Sequence, residues 1–275
     1  MSSVLTKHKR QPKIFVDIPS QFRFVKEGTS NSTFKEVPIY SMSGADELMM
    51  KNPEALLSGL ATKNLIKSCI PSIVEPGNIS IIDIEFLLVA IRIASYGEKY
   101  NQHSSCPHCG EGNKHEVILG HILESLSDRK YLETVKMHEL TFKLNPLTYD
   151  AYTAIEKVSF ETQRLIAQTA SQKDLTVEQQ REIEYTAYKK LNQVIEESIA
   201  GQVVEIITPD GSEYDPAQIR DFILTSDREY FELLKKTIEK NNEDQQIKPL
   251  EVKCGECAKG YTQLFTMDDS SFFGS

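Results

Sequence analysis

An α+β fold, mostly helical, is what this 275-residue sequence predicts, with a discontinuous four-cysteine zinc ribbon of two β-hairpins and a helical insertion between them. Two motifs carry the first part of that reading: Cys106-Pro107-His108-Cys109 and Cys254-Gly255-Glu256-Cys257. Each CxxC pair offers two thiolates from one tight turn, and four thiolates make a closed tetrahedral site that suits Zn²⁺. The second observation is the text around each pair, a β-like run on either side. The third is the long helical, highly charged stretch that separates them.

Taken in order, residues 1–13 read as a flexible basic N-terminus and 14–100 as an α+β region. IFVDIPS, FRFV and FKEVPIYSM are strand-like, with Phe22 and Phe24 alternating with polar neighbours, and KEGTSNST is a turn or loop. Ser43 and Asp46 form a capping box ahead of ADELMMK. Asn52-Pro53 opens a helix expected to run to about Ser68 with Leu56, Leu57, Leu60, Leu65 and Ile66 inward. Cys69 ends it as a small buried hydrophobe, having no CxxC partner. The next helix, within NISIIDIEFLLVAIRIASYGEKY, is apolar almost all round, so it is buried in a core or against a partner. Ser80 and Asp83 read as its capping box, and Gly97 stops it.

Residues 101–145 form the first half of the ribbon and a strand. EKYNQHSS and KHEVIL flank the first knuckle, and MHELTFKLN is a further strand at 137–145. Residues 146–246 form the helical insertion. Thr148 caps its first helix, Thr176 and Gln179 box the second, and Gly201 ends that second helix. Ile183, Ala187, Leu191, Val194 and Ile199 give the second helix one buried face. VVEIITPDGSEY is a hairpin turning at Pro209-Asp210-Gly211, Ser226 and Glu229 cap a last helix, and NNEDQQ is a linker. Residues 247–275 hold the second half of the ribbon and a C-terminal tail.

Net charge is −9, so the surface repels phosphate backbones and anionic membranes, and nucleic-acid binding is disfavoured. No run of about 18 uncharged apolar residues is present, which excludes a membrane-spanning helix of that kind. The basic N-terminus is followed by no apolar signal core, predicting a chain kept in a reducing cytosol where thiols stay free for metal.

Within the cysteine pairs, Pro107 starts one turn and Gly110 follows it, while Gly255 lies inside the other and Gly260 comes soon after. Four thiolates and one Zn²⁺ carry a formal charge of −2, which Lys114, Lys253 and Lys259 offset. Closing a loop of this length costs several kcal/mol, against on the order of 10 kcal/mol from a structural zinc. A redox CxxC would sit singly at a helix N-terminus, and two disulfides would need an oxidising compartment. His108 points outward in such a turn, and His103 or His115 would coordinate only in place of a cysteine. The metal set is therefore Cys106, Cys109, Cys254 and Cys257, holding one structural zinc. Such a site leaves no position for water, and no phosphate loop, HExxH or nucleophile elbow occurs elsewhere, so no enzyme is expected. Phe272 and Phe273 follow an acidic spacer within three residues of the last position; they pack onto their own domain or serve as partner-binding residues.

Together, FLLVAIRIASYGEKY, the CPHCG knuckle that follows, and a late CGEC knuckle before an FF-containing tail resemble the baseplate hub proteins of T-even-type contractile-tailed bacteriophages. The resemblance is clearest over 78–120 and 247–275. It implies a late, non-enzymatic structural or assembly protein of the virion tail baseplate, put together in the host cytoplasm. Its implied partners are other phage tail or baseplate hub proteins, the tape-measure protein among them. Two alternatives remain at this point: a tail assembly chaperone absent from the virion, and a zinc-ribbon nucleic-acid-binding or transcription factor.

Overall fold

The computed structural model describes residues 9–25, 28–30, 36–171, 175–267 and 272–273. Residues 1–8, most of the KEGTSNST segment and the acidic spacer before Phe272 lie outside the described residues. Helix predominates over strand, and the strands form small antiparallel sheets, so the fold is α+β. The chain divides into two compact units: Met1–Arg129 with Gln245–Ser275, and Lys130–Asp244.

In the first unit, β1 (Pro12–Asp17) pairs with β2 (Glu36–Tyr40). Phe22 and Phe24 do not continue as a strand. The chain turns there, with Gln21 and Phe22 at positive φ (53° and 58°), and only Phe24 of the two rings is buried. Helix α1 (Gly44–Met50) has the full Ser43–Asp46 capping box. The helix expected from Pro53 to Ser68 is two: α2 (Pro53–Leu57), capped by Asn52, and α3 (Leu60–Cys69). Gly59, at φ +70°, breaks them apart, since a left-handed residue cannot propagate a right-handed helix. The break changes the facing of its neighbours: Leu57 and Leu60 are exposed, while Leu65 and Ile66 are buried.

Helix α4 (Ile81–Tyr96) is the spine of this unit. Eight consecutive positions from Ile84 would cover two full turns, and all but Glu85 of Ile84–Ile91 are buried. Gly97 ends it at φ +86°. Its start departs from the expected capping box. The Ser80 hydroxyl accepts from the Ile82 amide, but the Asp83 carboxylate turns away and accepts from the Ser20 amide and hydroxyl. Asp83 thus ties the turn after β1 to the first turn of α4, completely buried. Burial pushes its carboxyl up to about 6, against the opposing pull of the Ser20 bonds.

Hairpin β3 (Lys99–Ser105)–β4 (Gly112–Ile118) follows, then α5 (Leu119–Ser127). Hairpin β9 (Leu250–Lys253)–β10 (Gly260–Gln263) is formed by the chain after it returns. Both phenylalanines of the tail lie in this unit's core, at 0% and 1% exposure. Phe272 meets Tyr100 and Phe265 edge-on, and the Tyr96 hydroxyl donates to the Phe273 carbonyl at 3.1 Å. Arg92, the cation inside the apolar helix, lays its guanidinium over Tyr96, Tyr100 and Phe272. Of the two expectations for Phe272 and Phe273, packing onto their own domain describes these rings: they fill the chain's own core, because the apolar face of Tyr100 and Phe265 is there to receive them.

The second unit is built on a four-stranded sheet in the order β5-β6-β7-β8: β5 (Thr134–Met137), β6 (Leu140–Leu144), β7 (Val203–Thr208) and β8 (Gly211–Glu213). The strand at 137–145 therefore belongs with the insertion rather than with the ribbon, because β6 pairs with β7, some sixty positions on in sequence. Between them runs a helical hairpin, α6 (Tyr149–Ser171) and α7 (Val177–Gly201), the latter with its Thr176–Gln179 box formed. Helices α8 (Pro216–Thr225) and α9 (Arg228–Asp244) complete the unit. Ser226 caps no helix start; it ends α8, its amide donating to the Phe222 carbonyl, and α9 begins after Asp227. Nor is NNEDQQ a free linker throughout, since α9 continues to Asp244. Asn241 is buried there and bonds both the amide and the carbonyl of Leu132. The unit's core gathers Phe142, Leu144, Val203 and Ile206 from the sheet with Ile219, Ile223, Leu234 and Ile238 from α8 and α9.

Candidate metal centre

Hairpins β3–β4 and β9–β10 each carry one CxxC turn at the tip, and the two turns have the same backbone. In the first, the Cys106 amide donates to the Glu111 carbonyl and the Gly110 amide to the Cys106 carbonyl, both at 2.8 Å. In the second, the Cys254 amide donates to the Lys259 carbonyl at 3.0 Å and the Ala258 amide to the Cys254 carbonyl at 3.1 Å. The residue after each second cysteine is left-handed: Gly110 at φ +78° and Ala258 at φ +56°. Sequence reading found the first through its glycine. It could not find the second, because alanine gives no sign of a conformation that costs it about 1–2 kcal/mol. Gly255 and Gly260, by contrast, are not at positive φ.

The turns face each other. Cys106 Sγ lies 3.8 Å from Cys257 Sγ and Cys109 Sγ lies 3.6 Å from Cys254 Sγ, and all four sulfurs fall within 4.8 Å of one another. The four cysteines are free thiols, not disulfides. Sulfurs at about 2.3 Å from a central ion stand about 3.8 Å apart in a regular tetrahedron, so the donor set fits a zinc ion in size and in chemistry. The cluster contains no histidine among the described residues. The His108 ring nitrogen is 3.3 Å from the Gly260 carbonyl, and that of His115 is 2.9 Å from the Tyr261 hydroxyl.

Cys106 and Cys254 are buried, Cys257 is half-buried, and Cys109 is exposed. The electrostatics are uneven as well. Amides of Cys257 and Glu256, joined by Asn113 and Cys109, hold the Cys254 thiol down at about 6. At Cys109 the Glu111 amide favours the thiolate, but desolvation and the three neighbouring sulfurs push the thiol up to about 12. Four thiols this close cannot all ionise without a cation, and the negative charge settles first where amides point.

Contacts beyond the sulfurs join the hairpins too. Tyr261 Oη is 2.7 Å from Ser104 Oγ, and the Gln102 side chain donates to the Leu264 carbonyl at 2.6 Å. Asn113 donates to Cys254 Sγ and accepts from the Gly255 amide. None of these partners was singled out in the sequence, since a polar residue on a hairpin carries no mark of the strand it will face. Cys69 stands apart from the centre: it is fully buried in α3, and burial pushes its thiol up to about 12.

Fold and centre together define a class: an α+β protein in which two thiolate knuckles, far apart in sequence, meet as they do in a zinc ribbon. The particular family follows from comparison with known proteins. The model of the family described as T4 bacteriophage base plate protein matches residues 32–274, and the chain belongs to that family. The match takes in the inserted unit as well as both knuckles, a wider span than 78–120 and 247–275. Comparison with curated proteins gave no match, and neither did comparison with solved structures. Among the described residues, no helix is long and apolar enough to cross a membrane.

Proposed function

We propose that this chain is a non-enzymatic structural protein of a phage tail baseplate hub, stabilised by one zinc ion on Cys106, Cys109, Cys254 and Cys257. It acts through contacts with other hub proteins, the tape-measure protein being one candidate, and reaches the virion after assembly in the host cytoplasm. The family match over residues 32–274 carries this reading. Two further observations support it. The sulfur spacing suits a closed four-thiolate site, which has no position for a substrate or an activated water. Phe160, Tyr185 and Tyr188 of the helical hairpin are about half exposed or more, aromatic surface of the kind that protein contacts bury.

Two measurements test the proposal. Mass spectrometry of purified phage particles should find the chain in the virion, and its absence there would favour a transient assembly chaperone instead. Protein purified without added metal should contain about one zinc per chain, and Cys254→Ser should lose both the metal and several kcal/mol of stability. A Cys254→Ser protein unchanged in zinc content and in melting temperature would overturn the shared site.

A further inference from the structure

The two knuckles share a backbone but not their surroundings, and one side chain makes the difference. Asn113 lies on β4, just beyond the first knuckle, and reaches across to the second. Its Oδ1 accepts from the Gly255 amide at 2.8 Å. Its Nδ2 donates to Cys254 Sγ at 3.6 Å and to the Glu111 carbonyl at 2.9 Å. The orientation of the amide is fixed by its partners: a backbone N–H can only donate and a backbone carbonyl can only accept, so the NH₂ end must face Glu111 and the sulfur. A single side chain thus bonds the turn of the first knuckle, the turn of the second, and one of the four sulfurs.

We infer that Asn113 is a positioning residue for the four-thiolate centre, setting the second knuckle against the first and donating to the Cys254 sulfur. Three physical reasons support this. A donor aimed at a metal-bound sulfur offsets part of the excess negative charge of a four-thiolate site. A bond from the first hairpin to the Gly255 amide holds the second turn in its ligating shape before metal arrives, reducing the loss of freedom on binding. The corresponding place four residues after Cys257 is filled by Tyr261, whose hydroxyl also crosses between hairpins, to Ser104 and His115, but touches no sulfur. Tyr261 therefore supplies hairpin docking without the contact to a ligand, which makes it the natural control.

This inference rests on the zinc reading above, and the experiment separates the two. Zinc affinity of the full chain is measured by competition with a chelator, for wild type, Asn113→Ala, Asn113→Asp and Tyr261→Phe. Circular dichroism in excess zinc checks that each variant is folded, and Co²⁺ substitution reports the ligand set. Asn113→Ala should bind zinc about 10- to 100-fold more weakly while the Co²⁺ spectrum stays that of a tetrahedral four-thiolate site. Asn113→Asp keeps the acceptor for Gly255 but puts a negative charge beside the sulfur, so it should bind more weakly still. Tyr261→Phe should change affinity much less than either. If wild type binds zinc and Asn113→Ala binds equally well, or loses no more than Tyr261→Phe, the positioning role is overturned and the zinc site stands. Wild type that takes up no zinc or cobalt overturns the metal reading and this one with it.

Discussion

Asp83 shows how a single residue can obey local rules of sequence and still be used for something else. Its place three residues after Ser80 suits a capping box, yet its carboxylate bonds Ser20 because burying it unpaired would cost more than an unfilled box on a helix start. Burial raises its carboxyl from 3.8 to about 6. Below about pH 4 the group is protonated in folded and unfolded chains alike and carries no penalty. Between 4 and 6 the unfolded chain ionises while the folded one resists, so this residue lowers stability as pH rises, and the loss persists above 6. Asp83→Asn keeps an acceptor for the Ser20 amide and gains a donor for its hydroxyl. Denaturation at pH 7 should show the variant more stable, by up to about 3 kcal/mol, with the difference vanishing near pH 4.

At the scale of elements, much was legible. The β-like runs on either side of each CxxC placed β3, β4, β9 and β10, and Gly97 and the caps at Ser43, Asn52, Thr148 and Thr176 placed helix ends. These signals are local: a cap or a left-handed glycine acts within a turn of itself. The signal is weaker where facing depends on a break, as at Gly59, or on a strand partner, as at β5, which has only four residues. The C-terminal rings belong to this scale too. Phe272 is fully buried against Tyr100 and Phe265, so Phe272→Ala should destabilise the ribbon-bearing unit by about 3–5 kcal/mol in denaturant unfolding. A ring that served only to dock a partner would leave the stability of the isolated protein unchanged.

For the molecule as a whole, the chain leaves the first unit after Arg129 and returns at Gln245, so the metal centre closes a loop that contains an entire second unit. The second unit has its own sheet and its own core of Phe142, Ile206, Ile219 and Leu234, none of which involves a cysteine. Removing metal should therefore act on one unit. In hydrogen exchange of the full chain, a chelator should deprotect amides in 99–118 and 250–263 and leave those of β6, β7 and α9 unchanged. Deprotection spread evenly through both units would mean that they unfold together.

The sequence alone determined the ligand types, the knuckles that hold them and the helices around them, because cysteine spacing, caps and hydrophobic period are properties of neighbouring residues. It also carried the family resemblance, which the match over 32–274 extends across the insertion. Tertiary structure decided which groups meet: that Asp83 faces Ser20, that Asn113 crosses to Gly255 and Cys254, that Phe272 and Phe273 turn inward, and that the strand after the ribbon belongs to the inserted unit. Each of these joins residues distant in the chain, and no local propensity records such a pairing. It is set by which buried polar group must find a partner and which apolar face must be covered once the whole chain has folded.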